Sequence, residues 1–127
     1  MAATRASRLA LYRIPGGGVT SKDQLMSETS KSLGFPKWFG ANWDAFRDLL
    51  RDFSWARSSG YVVIFRDANV LASAAPKDFQ VLVQVAAEVS QDWRQWEVPF
   101  HFVFTGPAEL TNVVAGATSA PVCVHSE

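Results

Sequence analysis

Two short apolar runs, Tyr61-Val62-Val63-Ile64-Phe65 and Phe100-His101-Phe102-Val103-Phe104, lie on either side of a long helical pattern. Each run is rich in β-branched and aromatic residues and too short for a helix, so each reads as a strand. Between them, Pro76 sits where a helix tolerates proline, in its first turn. Phe79, Leu82, Ala86, Val89 and Trp93 then recur at helical spacing, so the helix runs to about Trp93. Strands joined through helices form parallel pairs with right-handed crossovers. This restricts the chain to an α/β fold.

The rest of the chain extends the pattern. Arg8 to Ile14 reads as a first strand, stopped by Pro15 and the glycines Gly16, Gly17 and Gly18. Those glycines do not form a phosphate loop, because Lys22 lacks the Gly-Lys-Ser/Thr context; they read as a flexible strand-to-helix turn. Ser21 and Gln24 form a capping box that starts a helix reaching Leu33, with Leu25 toward the core and Gly34 and Pro36 ending it. Asn42 caps a second helix to about Phe53, whose Phe46, Leu49, Leu50 and Phe53 form a buried stripe. Tyr61 to Phe65 reads as a fully buried strand, and Ala68 to Ala74 as a short irregular or helical piece. The expected architecture is a small α/β layer fold: a three-stranded parallel sheet packed with three to four helices. The expected domain covers residues 1–106. Residues 107–127, rich in Ala, Thr, Ser and Val, extend the same domain, and Pro121 to His125 offers an edge strand.

Composition excludes several functions. At 127 residues one domain with a sizeable core is expected. Hydrophobic content of 48% against 19% charged rules out a disordered chain. Lys+Arg and Asp+Glu are 12 each, and a dedicated nucleic-acid binder would be basic. The lone Cys123 allows no internal disulfide, which fits a reducing compartment. The N-terminal stretch lacks the apolar run of a signal peptide, and no stretch is long enough to span a membrane. The expected location is the cytoplasm.

The most informative segment is Phe35-Pro36-Lys37-Trp38-Phe39-Gly40-Ala41-Asn42-Trp43-Asp44-Ala45-Phe46. A core segment does not mix Trp38, Phe39 and Trp43 so closely with Gly40, Asn42 and Asp44. With the buried stripe turned inward, Asp44, Asp48 and Asp52 fall together on the outer face at i, i+4 and i+8. Like charges at that spacing cost roughly 0.2–0.5 kcal/mol per pair, and Arg47 and Arg51 can offset this through i, i+3 pairs. The long helix repeats the pattern with Glu88 and Asp92, the latter near a C-terminus where negative charge opposes the macrodipole. A solvated face is the ordinary explanation of any one such row. Two rows beside exposed rings suit a partner with a concentrated positive site, such as a nuclease that grips phosphates.

Leu33 through Leu50 resembles the characteristic motif of the barstar family of intracellular ribonuclease inhibitors: a leucine, a proline, two aromatics, glycine, any residue, asparagine, an apolar residue, aspartate, alanine, an apolar residue, then aspartate and leucine. The resemblance covers about Leu9 to Gly106, strongest over Leu33 to Leu50. It implies a stoichiometric protein inhibitor whose loop and second helix enter a ribonuclease active site, with carboxylates standing where substrate phosphates would lie. Carried over, Asp48 is the central acidic anchor and Asp44 its neighbour one turn earlier. Asn42 lies at the loop edge, Trp38 and Phe39 replace two aromatics that are usually tyrosines, and Glu88 matches a peripheral acid, with Asp92 beyond it. Gly40 is read as the residue that permits an unusual backbone angle. Arg47 departs from the type member, which has tryptophan there; a positive charge inside the acidic patch could select a partner carrying a nearby acid, so the cognate enzyme need not be barnase itself.

The implied partner is a microbial extracellular-type ribonuclease or related toxin in a 1:1 complex, with no cofactor, no direct nucleic-acid contact and no membrane. An alternative is an immunity protein or antitoxin against another toxin class. A carboxylate or metal-dependent hydrolase is disfavoured, because no histidine joins the acids and no nucleophile motif appears. Direct RNA binding is disfavoured because the acids repel phosphates. Trp93 and Trp96 read as core or helix-end packing and His101 as structural. His125 has no evident partner, and nothing near Cys123 in sequence activates a thiol.

Overall fold

In the computed structural model, residues 9–36, 40–53, 58–118 and 122–126 are described. The strands are β1 (Ala10–Pro15), β2 (Tyr61–Arg66), β3 (Phe100–Gly106) and β4 (Cys123–Ser126). The helices are α1 (Lys22–Leu33), α2 (Trp43–Asp52), α3 (Ala68–Ala74), α4 (Pro76–Gln95) and α5 (Leu110–Ala117). The sheet is parallel throughout, in the order β1-β2-β3-β4.

The α/β class and parallel sheet agree with the sequence reading, whereas the element count does not. The sheet has four strands rather than three, and the chain adds a fifth helix among the described residues. Both additions come from beyond Gly106. Leu110 and Val114 of α5 join the common core, and β4 pairs Val103 with Cys123 and Thr105 with His125. Without β4 the backbone of β3 would have a long unpaired edge. The first strand includes Pro15 instead of stopping before it, because β1 is an edge strand, where a missing N–H is tolerated.

The strand order also corrects the expectation of a fully buried β2. Each connection moves the chain one strand in the same direction, and right-handed crossovers then place every helix on one face of the sheet. Tyr61, Val63 and Phe65 of β2 are buried, while Val62 and Ile64 are only half-buried. β3 alternates in the same way, with Phe100, Phe102 and Phe104 inside and His101 exposed.

Capping follows the sequence with one change. The Ser21 hydroxyl accepts from the Gln24 N–H at 3.2 Å, but the Gln24 side-chain carbonyl oxygen accepts from the Thr20 N–H at 2.7 Å instead of from Ser21. Gly34, at φ 72°, ends α1 in the left-handed conformation that suits glycine. The glycine turn is less free than expected at its first position. A Cβ on Gly16 would lie 2.0 Å from the Arg66 carbonyl oxygen, so glycine there permits close approach of the backbones.

One aromatic hub ties the sheet to the helices. Phe53, fully buried, caps α2 in the left-handed region at φ 47°. Its ring stacks on Tyr61 at 4.3 Å and Tyr12 at 5.8 Å, and lies within 6.3 Å of Trp93 and 6.2 Å of Phe100. The left-handed conformation costs roughly 1–2 kcal/mol, less than burying a phenylalanine gains, roughly 1.5–3 kcal/mol before its ring contacts are included.

Candidate functional site

The fold fixes α2 at both ends. At its start the Asn42 side-chain oxygen accepts from the Ala45 N–H at 2.8 Å. Trp43, half-buried, meets Phe46 edge-on at 5.7 Å, and Phe35 meets the same ring at 6.3 Å. At its end the buried Trp93 indole donates to the Leu50 carbonyl at 2.8 Å. That carbonyl is one of the last four of the helix, which have no intrahelical donor. Phe46, Leu49 and Leu50 are buried, as their spacing predicts.

With that stripe inward, Asp44, Asp48 and Asp52 are all exposed on one outer face. Asp48 makes no ion pair or hydrogen bond among the described residues. Glu88 is exposed and Asp92 half-buried on α4, which packs beside α2. Gly40 and Asn42 are exposed at the entrance to α2. Trp38 and Phe39 lie outside the described residues. The structure thus brings Gly40, Asn42, Trp43, Asp44, Arg47, Asp48, Glu88 and Asp92 onto neighbouring parts of one surface.

Two sequence expectations change at this surface, the arginine pairing and the outward direction of Asp92. A positive φ in this loop falls on Ala41, at 52°. What Gly40 provides is room, since a Cβ there would lie 3.0 Å from the Asn42 amide nitrogen and crowd the helix cap. The arginines act mainly between helices and not along α2. Arg47 does reach Asp44, three residues back, at 3.4 Å, but its Nε donates to Glu88 at the shorter 2.9 Å. Arg51 pairs with Asp92. Asp92 is therefore turned toward α2 and not fully outward.

Sequence reasoning missed these cross-helix pairs. The available signal was the equal spacing of 47/51 and 88/92, which lets two adjacent helices form two rungs. Among the described residues, five carboxylates face two guanidiniums across this surface, an acidic balance. The pockets of about 520, 280 and 190 Å³ are lined by other residues, the first by Ser90, Arg94, His101 and Cys123 among others.

Trp96 is 52% exposed and meets Trp93 edge-on at 5.1 Å, at the end of α4. His101, Cys123 and His125 are exposed on the strands. Among the described residues no three His, Cys, Asp or Glu side chains gather as a metal site. No helix among them is long and apolar enough to cross a membrane.

No curated protein matches the chain. A family model described as Barstar (barnase inhibitor) matches residues 9–105. That span runs from just before β1 through β3 and includes α2, α4 and every described residue of the acidic surface. The chain belongs to the Barstar (barnase inhibitor) family.

Proposed function

We propose that this protein inhibits a small microbial ribonuclease by covering its active site in a 1:1 complex. The observation that carries this reading is Asp48: an exposed carboxylate with no partner among the described residues, at the centre of an acidic helix face inside the family-matched span. A ribonuclease active site must gather cations to hold phosphates, and α2 offers carboxylates at one-turn intervals to such cations. Asp44 and Asp48 are the principal contacts. Trp38, Phe39, Gly40, Asn42 and Trp43 supply apolar area and shape at the loop. Arg47, Glu88 and Asp92 form the border toward α4. Residues 107–127 complete the same inhibitor domain. The protein needs no cofactor, catalyses no reaction and works in the cytoplasm.

Protection of a producing cell and immunity to a delivered toxin use the same surface, so both fall within this reading. Catalysis by the carboxylates is not favoured, because Asp44, Asp48 and Glu88 stand exposed on helix surfaces, whereas reacting groups need an enclosed site.

The test is a titration into a panel of small microbial ribonucleases, following RNA cleavage at low and physiological salt. The expected result is stoichiometric inhibition of at least one enzyme, slower to form at higher salt and lost in Asp48→Ala. If Asp48→Ala inhibits as well as the parent, the assignment of the site is wrong.

A further inference from the structure

Arg47 occupies an unexpected place for a surface meant to imitate phosphates. Its side chain is 26% exposed and lies between Asp44 and Glu88. Nε is engaged by Glu88 at 2.9 Å and one terminal nitrogen by Asp44 at 3.4 Å. A guanidinium carries five N–H donors in a fixed fork, and the second terminal nitrogen has no partner among the described residues. Arg51 repeats the arrangement one turn later with Asp92. These contacts hold a positive charge in a set direction one residue before Asp48, with a donor edge left over.

Against a partner whose rim is wholly cationic, that charge is repulsive. Such a charge discriminates by penalising one class of partner, provided the correct partner supplies the opposite charge. We infer that Arg47 is a specificity-determining residue: the cognate ribonuclease presents a carboxylate on its active-site rim opposite Arg47, beside the cations that meet Asp48. Glu88 then acts as a positioning residue, orienting Arg47 instead of pairing with the enzyme. This inference rests on the inhibitor reading and names the chemistry of the partner at that site.

The alternative is that Arg47 only stitches α2 to α4. A stitching role would weaken binding to every partner alike when removed, whereas a specificity role changes the order of preference. The experiment uses a barnase-type ribonuclease and a set of its variants, each with one noncatalytic Lys or Arg of the cleft rim exchanged for Glu. The parent protein, Arg47→Ala, Glu88→Gln and Asp48→Ala are titrated against each enzyme. The expected result is that the parent prefers at least one Glu-bearing enzyme over the unmodified one by about tenfold. Arg47→Ala should reverse that preference, Glu88→Gln should reduce it, and Asp48→Ala should weaken inhibition of both enzymes. If the parent and Arg47→Ala rank the enzymes identically, the specificity role is overturned while the inhibitor reading stands. If the parent inhibits none of the enzymes, both fall.

Discussion

The helix face formed by α2 and α4 and the open face of the sheet lie on different sides of the same small core, and they differ in charge. The helix face carries Asp44, Asp48, Asp52, Glu88 and Asp92 around two paired arginines. The open sheet face carries Leu11, Arg13, Val62, Ile64, Arg66, His101, Val103, Cys123 and His125. Leu11 is 47% exposed, and no carboxylate stands at the strand positions of that face. A chain of zero formal net charge has therefore separated its charges. The sheet face needs only the topology to explain it: crossovers on one side leave the other uncovered. The helix face is not explained by topology. The acids of α2 repeat at a spacing that raises the helix energy. Residues that oppose local stability are the better candidates for function.

The comparison is broken most severely at the hub that supports both faces. Phe53→Ala should lower stability by about 3–5 kcal/mol, because the ring packs on β1, β2, β3 and α4 together. Urea denaturation followed by tryptophan fluorescence measures it, and a loss under about 1 kcal/mol would mean that the cluster repacks around the gap.

On the helix face, Asp48→Ala should leave the melting temperature unchanged and weaken ribonuclease binding by roughly 2–5 kcal/mol, a range to which the barnase–barstar complex itself contributed. On the sheet face the contrast should be plain. Arg13→Glu with Arg66→Glu should change stability by no more than about 0.5 kcal/mol and leave equilibrium inhibition within about threefold, through the long-range field alone. A strong loss of inhibition in that double variant would move the partner to the sheet and overturn the comparison.

Smaller effects sharpen it. Ala41→Gly should raise stability by about 0.5–1 kcal/mol, since glycine relieves the left-handed strain at the entrance to α2 but costs more backbone entropy. Thermal unfolding of the two proteins side by side measures this gain. The Tyr12 phenol is pushed up from its ordinary range by burial and by the neighbouring Tyr61. A raised phenol favours the neutral form in the folded state, so its contribution is complete below about pH 10 and is lost as pH rises through the higher folded value. Tyr12→Phe should leave stability near neutral pH almost unchanged and flatten the decline above about pH 10, as equilibrium unfolding at stepped pH would record.

Much of this molecule was legible in the chain because its signals are local. Asn42 caps α2 as its side chain predicts, and Phe46, Leu49, Leu50 and Phe53 are buried as their spacing predicts. The outward row of aspartates follows from the same helical geometry, so the α2 part of the candidate surface is implied by the helical repeat. The tail was harder to read. Leu110 and Val114 are its two buried anchors in a stretch of small residues, so α5 had no pattern long enough to stand out, whereas β4 forms where an edge strand was offered.

The sequence by itself determined the α/β class, the stripes that bury each helix and the acidic face of α2, because each depends on a repeat along one element. Only the tertiary structure decided that Arg47 and Arg51 serve α4, that Ala41 takes the left-handed angle in the loop, and that the edge strand offered near the C-terminus pairs with β3. Those outcomes depend on which elements become neighbours. An arginine has several carboxylates within reach of its sequence, and only packing brings one of them to 2.9 Å.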